Sequence, residues 1–390
     1  MRKRRFFTAL RCAGTAVALL AGAQAALPTE VMFHRMRDGQ IQPQAALAPD
    51  GKLHLIHFEG DPMAGDIFHT KTTFNAGNTW TRKIRVNSVP GSAIATGTIR
   101  GAHLALDGSG RPHVAWMGSS KATPRPKEGA PMLYTRINRS GTAFEPQRNL
   151  VTWATGLDGG GSLAADRKGN VYVAWHAGPD GPDAGEEARS VFVAHSTDRG
   201  KTFTRERRVS KKGTGACGCC GMQAFADKSG NLCLLYRTAN GENRDMNLLI
   251  SEDKGKHFSS TLLSKWAINK CPMSSADLSE ARGRILATTE RDGRVALSGI
   301  NPQSMAVAAP MNPVVGKPAK HPVAVSNDKG EFLMAWIEGS GWNRGGKIAW
   351  QIYDAQGKPT AMKTRTYPSS PAWSLISAVA LPNGDFLILF

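Results

Sequence analysis

Short apolar runs alternate with polar turns along the chain, and the alternation recurs. Seven segments can be laid over one another: Gln44-AALAPDGKLHLIHF, His103-LALDGSGRPHVAW, Ser162-LAADRKGNVYVAW, Met222-QAFADKSGNLCLLY, Met273-SSADLSEARGRILATT, Val323-AVSNDKGEFLMAW and Ser377-AVALPNGDFLILF. Each reads as a strand of small apolar residues, a turn containing glycine, and an alternating apolar strand. The turn glycines are Gly51, Gly110, Gly169, Gly230, Gly283, Gly330 and Gly384, spaced 59, 59, 61, 53, 47 and 54 residues apart. The fifth copy is the weakest. Seven β-hairpins at such a period predict an all-β chain built by radial repetition of one sheet.

A second strand pair lies between several of these hairpins. Three of its turns share a form: Thr73-FNAGNTW, Ser196-TDRGKTF and Ser251-EDKGKHF. The Asp or Asn suits acceptance of backbone N–H bonds in a tight turn, and glycine supplies the positive φ. The aromatic that follows can plug the space between neighbouring sheets. The pattern resembles the Asp-box (BNR) repeat of sialidase-like β-propellers, over essentially the whole of residues 26–390. The resemblance implies a single-domain propeller. Seven innermost strands argue for seven blades, whereas sialidases have six, so six is the alternative. The last hairpin ends at Phe390, and Glu30-VMFHRMRD can supply an outer strand that closes the ring between the termini.

Residues 1–25 read as a leader. Arg2-Lys3-Arg4-Arg5 is followed by an apolar run and by Ala23-Gln24-Ala25. This predicts export to the periplasm or the exterior, with cleavage after Ala25. Arg4-Arg5-Phe6-Phe7 also resembles a twin-arginine signal, and both routes stay open. The formal charge of +18 loses five positive charges on cleavage. The remaining basic residues are scattered, which describes a solvated surface or attraction to an anionic glycan or small anionic ligand. No nucleic-acid-binding motif is present. No run of 18 apolar residues predicts a transmembrane segment.

Topology then selects a face. The innermost strand of a meander blade starts on one face and the second strand returns to it. Residues just before the first strand and just after the second therefore meet at the channel mouth. The fourth blade begins Ala216-CGCCGM, the fifth Lys270-CPMSS and the sixth Lys320-HPVAV. The expected cluster is Cys217, Cys219, Cys220, Cys271 and His321, with Met273 nearby. Thiolates with an imidazole suit copper or zinc. In an exported protein a disulfide from Cys219 or Cys220 to Cys271 is the competing reading. Cys-x-Cys-Cys is not a standard zinc spacing. Cys233, inside an apolar strand, is expected to be a buried small side chain. His54, His57 and His69 are expected to be ordinary strand or surface histidines.

The resemblance also implies a sialidase-like activity. Such enzymes hold a sugar carboxylate with three arginines and use a Tyr/Glu pair and an acid. Tyr236-RTANGENRDM resembles a sialidase blade, with Arg237 and Arg244 as the carboxylate-binding pair. Asp61 or Asp66 would be the acid and Glu290 the partner of Tyr353 or Tyr367. The arginine expected before Pro43 is absent, since Ile41-Gln42 stands there. The stretch from Cys219 to Asp245, followed by Trp266-AINKCPM, resembles a subgroup of Asp-box proteins often labelled sialidase-like. The reading adopted is an exported ligand- or metal-binding propeller with a Cys/His site at the channel mouth. The alternative is an exo-sialidase-like glycoside hydrolase acting on anionic glycans.

Overall fold

The computed structural model describes residues 28–73, 79–97, 99–179, 184–360 and 368–390. Residues 1–25, read above as a leader, most of the first Asn/Asp–Gly turn (residues 74–78) and Tyr367 lie outside the described residues. The strands form seven sheets, the blades of a β-propeller. Blades 1 to 4 are four-stranded meanders, and blades 5 and 6 have three strands among the described residues. Blade 7 is Ser377–Ala380 and Phe386–Leu389, completed by Val31–His34 from the N-terminus. That N-terminal strand pairs parallel to Phe386–Leu389, so the ring closes between the two ends of the chain. Seven blades, not six, is the observed count.

The core lies between the blades, not on the axis. Seven buried apolar clusters occupy the seven interfaces between neighbouring sheets. The two-residue period of a strand explains this arrangement. In Val171–Ala177, Val171, Val173 and Trp175 point to blade 2, while Tyr172 and Ala174 point to blade 4. Both faces of such a strand are buried, so it reads as a continuous apolar run. Cys233 is fully buried in the interface of blades 4 and 5, as a small apolar side chain.

The seven turn glycines all have positive φ, between 71° and 93°. The Ser-x-Asp-x-Gly turns repeat one bonding scheme. Gly200 and Gly255 each donate a backbone N–H to Ser196 and Ser251 Oγ at 2.8 Å. Asp198 and Asp253 accept the N–H of Thr202 and His257 at 2.9 and 2.8 Å. Phe203 then packs edge-on against Tyr134 of the preceding blade, with ring centres 4.7 Å apart.

The inner strands line an axial cavity of about 410 Å³. The seventh residue before the turn glycine falls at one level of this channel: Gln44, His103, Ser162, Gln223, Val323 and Ser377, with Asp277 supplied by blade 5. Several of these side chains bond the neighbouring blade. Gln44 accepts from the Leu104 N–H, Ser162 from Ala224, Asp277 from Ala324 and Ser377 from Ala45. A polar belt thus joins adjacent inner strands, whose free edges would otherwise leave N–H groups unpaired.

Asp277 opens on the channel but is enclosed by protein, and burial pushes its carboxyl up to about 7. A carboxyl raised in this way favours the folded state below about pH 4, and the contribution is lost as pH rises to 7. Between about pH 5 and pH 8 the wild type is expected to lose roughly 2 kcal/mol relative to Asp277→Asn, allowing for channel water. Thermal melts across that range check this. Parallel losses in both proteins would contradict it.

Candidate metal centre

Residues 215–221 lead into the inner strand of blade 4. Cys220 N–H bonds to the Cys217 carbonyl at 3.4 Å, closing a turn. The turn is anchored from three sides. Cys217 N–H donates to the Arg237 carbonyl at 2.9 Å, Gly218 N–H to Glu186 Oε1 at 2.7 Å, and Gly221 N–H to the Ser274 carbonyl at 3.0 Å. A side chain at Gly218 would meet the Arg189 guanidinium and the Asp158 carboxylate and would have to displace them.

The turn gathers the sulfurs. Sγ of Cys217 and Cys219 are 3.3 Å apart, and the three Sγ atoms of Cys217, Cys219 and Cys220 all lie within 4.8 Å of one another. Cys217 and Cys220 are buried, while Cys219 is partly open. Among the described residues this is the one group of three or more such donors close enough to share an ion. Three convergent soft donors, with a cation beside them, match a thiolate metal site chemically.

Electrostatics single out one sulfur. Burial opposes ionisation of Cys220. The S–H donors of Cys217 and Cys219, the Arg237 charge and the Ser274 backbone N–H outweigh it and hold this thiol well below its ordinary value. Bonding to Cys217 and Cys220, with burial, pushes the Cys219 thiol up, and Cys217 is also raised. A charge on Cys220 is thus favoured by its surroundings, while ionisation of all three sulfurs calls for a compensating cation.

The remaining expected ligands are placed differently. Cys271 is exposed and stands apart from the group. All five described cysteines are free, so the expected bridge from Cys219 or Cys220 to Cys271 is not formed. His321 is buried, but its Nδ1 accepts from the Ser275 backbone N–H at 3.3 Å and lies 3.1 Å from Ser275 Oγ. That bond fixes the ring proton on Nε2, so neither nitrogen offers a free lone pair. Burial and the adjacent Lys320 hold His321 down at about 3. Met273 is partly exposed at positive φ, and its carbonyl faces Lys320 Nζ at 3.5 Å.

The arginines are engaged. Arg237 is 3% exposed, and its two Nη atoms donate to the carbonyls of Arg244 and Glu290 at 3.0 and 2.7 Å. Its guanidinium lies 5.0 Å from the Trp266 ring centre and 3.8 Å from Glu290 Oε2. Arg244 pairs with Glu186 at 3.2 Å and donates to the carbonyls of Gly241 and Asn243. Glu290 spends Oε1 on the Gly293 N–H, and burial pushes its carboxyl up. Asp61 caps the Met63 N–H in an exposed turn, and Asp66 accepts from Asn87 and Gly91. Both aspartates belong to the blade 1 side, three blades from Arg237. The structure therefore does not bring Asp61 or Asp66 together with the arginine pair. Tyr353 is buried in the interface of blades 5 and 6.

Sequence reasoning missed a chain of ion pairs beside the cysteines. It runs Arg100–Asp158–Arg189–Glu186–Arg244, with contacts of 2.8 to 3.3 Å. Its members come from separate loops with no common spacing, so no periodicity announces it.

No family model matches this chain, and no curated protein matches it. Solved structures do. A protein of unknown function from Dyadobacter fermentans superposes with a TM-score of 0.57 at 15% identity, covering 83% of this chain and 97% of the other. An α-L-arabinofuranosidase from Fusarium graminearum gives 0.54 at 11%, covering 84% and 98%. A Hadza microbial sialidase gives 0.51 at 14%, covering 86% and 69%. The likeness is one of fold. Propeller glycosidases are among the structures this chain is similar to, at identities that carry the architecture alone.

Proposed function

We propose that the protein is an exported metal-binding propeller of the sialidase-like, Asp-box type, in which Cys217, Cys219 and Cys220 hold one soft cation. The observation that carries this reading is the convergence of the three sulfurs beside the Arg237 guanidinium. Copper(I) suits the site better than zinc. Structural zinc is almost always four-coordinate, whereas no fourth His, Cys, Asp or Glu among the described residues joins the three sulfurs. Three thiolates around a monovalent cation leave a net charge of about −2, half of which Arg237 offsets. Burial of two of the thiols favours retention over exchange with water. The basic, alanine-rich leader supports export, where a copper-handling protein meets the metal.

The hydrolase alternative is weaker. Its arginines are bonded within the protein, and its acid candidates stand on a distant blade. The test is the copper and zinc content of the full chain, expressed with its leader in medium supplied with both metals. About one equivalent of copper per chain is expected. No retained metal, or zinc in place of copper, would overturn the assignment.

A further inference from the structure

The face opposite the cysteines carries a second site. There the turns joining the first and second strands of blades 1 to 3, the turns following the third strands of blades 2 and 3, and Lys71 on the third strand of blade 1 surround a cleft of about 880 Å³. Eight lysines and arginines line it against three carboxylates. The carboxylates are committed. Glu145 pairs with Arg111 and Arg136, Asp50 with Lys52, and Asp198 with Thr202 of its own turn. Four cations are not. Lys71, Arg139, Lys168 and Lys201 line the cleft, and no side-chain hydrogen bond or ion pair of theirs is formed with the described residues. Two further arginines reinforce the wall: Arg136 donates to the Arg199 carbonyl, and Arg148 to those of Gly200 and Lys201. These bonds clamp the blade 3 turn against blade 2. The uncommitted charges therefore project from a braced frame, not from a loose loop.

We infer that this cleft is a binding site for an acidic polysaccharide, carboxylated or sulfated, whose successive anionic groups pair with Lys71, Arg139, Lys168 and Lys201. Unpaired cations spaced around a concave surface focus a positive potential and suit a chain of regularly placed negative charges. The volume falls within the range of ligand-binding clefts. The exposed large apolar residues, Met63, Leu262, Val307, Val314 and Trp342, do not line it, so the cleft offers nothing to insert into a bilayer. A polysaccharide therefore fits better than a lipid surface. The site is independent of the cysteine turn and can be filled at the same time.

The test uses the full exported chain at low ionic strength. Heparin and polygalacturonate serve as polysaccharide probes, and phosphatidylglycerol vesicles as the lipid probe. Lys71→Gln, Arg139→Gln, Lys168→Gln and Lys201→Gln combined should weaken polysaccharide binding by roughly tenfold or more, because several simultaneous ion pairs are lost. Lys212→Gln, Arg294→Gln, Lys317→Gln and Lys358→Gln combined remove the same charge from outside the cleft and should change binding by less than about twofold. Unchanged melting temperatures exclude misfolding, and unchanged copper retention separates this result from the fate of the metal centre. Equal weakening in the two sets would mean general charge attraction and overturn the proposal. So would binding to vesicles without binding to either polysaccharide, or no binding at all.

Discussion

Cys220→Ser is expected to lose copper(I) affinity by at least about a hundredfold, on the order of 3 kcal/mol, while Cys271→Ser keeps it. The contrast follows from position. Cys220 is buried within 4.8 Å of two other sulfurs, beside Arg237. Arg237 and the Ser274 N–H also favour its charged form, and the thiolate is the ligand form. Serine preserves the shape of the turn and can still accept the Ser274 N–H, but its hydroxyl neither ionises readily nor suits a soft metal. Cys271 is exposed and outside the group. Competition against a chromophoric copper(I) chelator measures both variants. A loss at Cys271 equal to that at Cys220 would contradict the three-sulfur site. His321→Ala belongs in the same series and should retain copper, because its Nδ1 is already held by Ser275.

Glu206→Ala is expected to destabilise the fold by about 3–5 kcal/mol. Glu206 is 2% exposed, in the segment leading to the outer strand of blade 3. Its Oε1 accepts the N–H groups of Thr152, Trp153 and Ala154 at 2.7, 2.8 and 2.9 Å, and its Oε2 accepts the Thr152 hydroxyl at 2.6 Å. One carboxylate thus terminates the linker between blades 2 and 3. Alanine would strand three backbone donors, each costing about 1–3 kcal/mol where water cannot reach. The melting temperature should fall by roughly 4–7 °C in a protein of this size. Glu206→Gln keeps one carbonyl oxygen facing the same three donors and should cost far less. Burial raises the Glu206 pKa, but these donors more than offset it and hold the carboxyl below its ordinary value. Its contribution is present above the ordinary glutamate pKa and is lost as pH falls through the lowered value. Equal melting temperatures for the alanine variant and the wild type would contradict this role.

The fold was legible because its signals are local and repeated. Each hairpin needs a glycine at positive φ and an apolar second strand buried on both sides, and both leave a mark at fixed spacing. Ring closure by Val31–His34 was legible from the segment Glu30-VMFHRMRD, which precedes the first hairpin and had no partner within it. The cysteine cluster was legible only in part. Equivalent register placed Cys220, Cys271 and His321 at the starts of three adjacent blades. Register sets the height of a residue on a blade, not the direction of its side chain or the path of the loop before it. The turn at Cys217–Cys220 closes on itself, the segment carrying Cys271 opens to solvent, and His321 is claimed by Ser275. The polar belt was within reach of the sequence, since a polar residue stands seven positions before five of the seven turn glycines. The Arg100-to-Arg244 chain was not, because it is assembled from loops that share no spacing.

X-ray absorption at the copper edge of the copper-loaded chain tests the central claim most directly. The account predicts a first shell of three sulfur neighbours around copper(I), with no imidazole scattering and no change in Cys271→Ser. A shell containing an imidazole nitrogen, or one that loses a sulfur in Cys271→Ser, would contradict it.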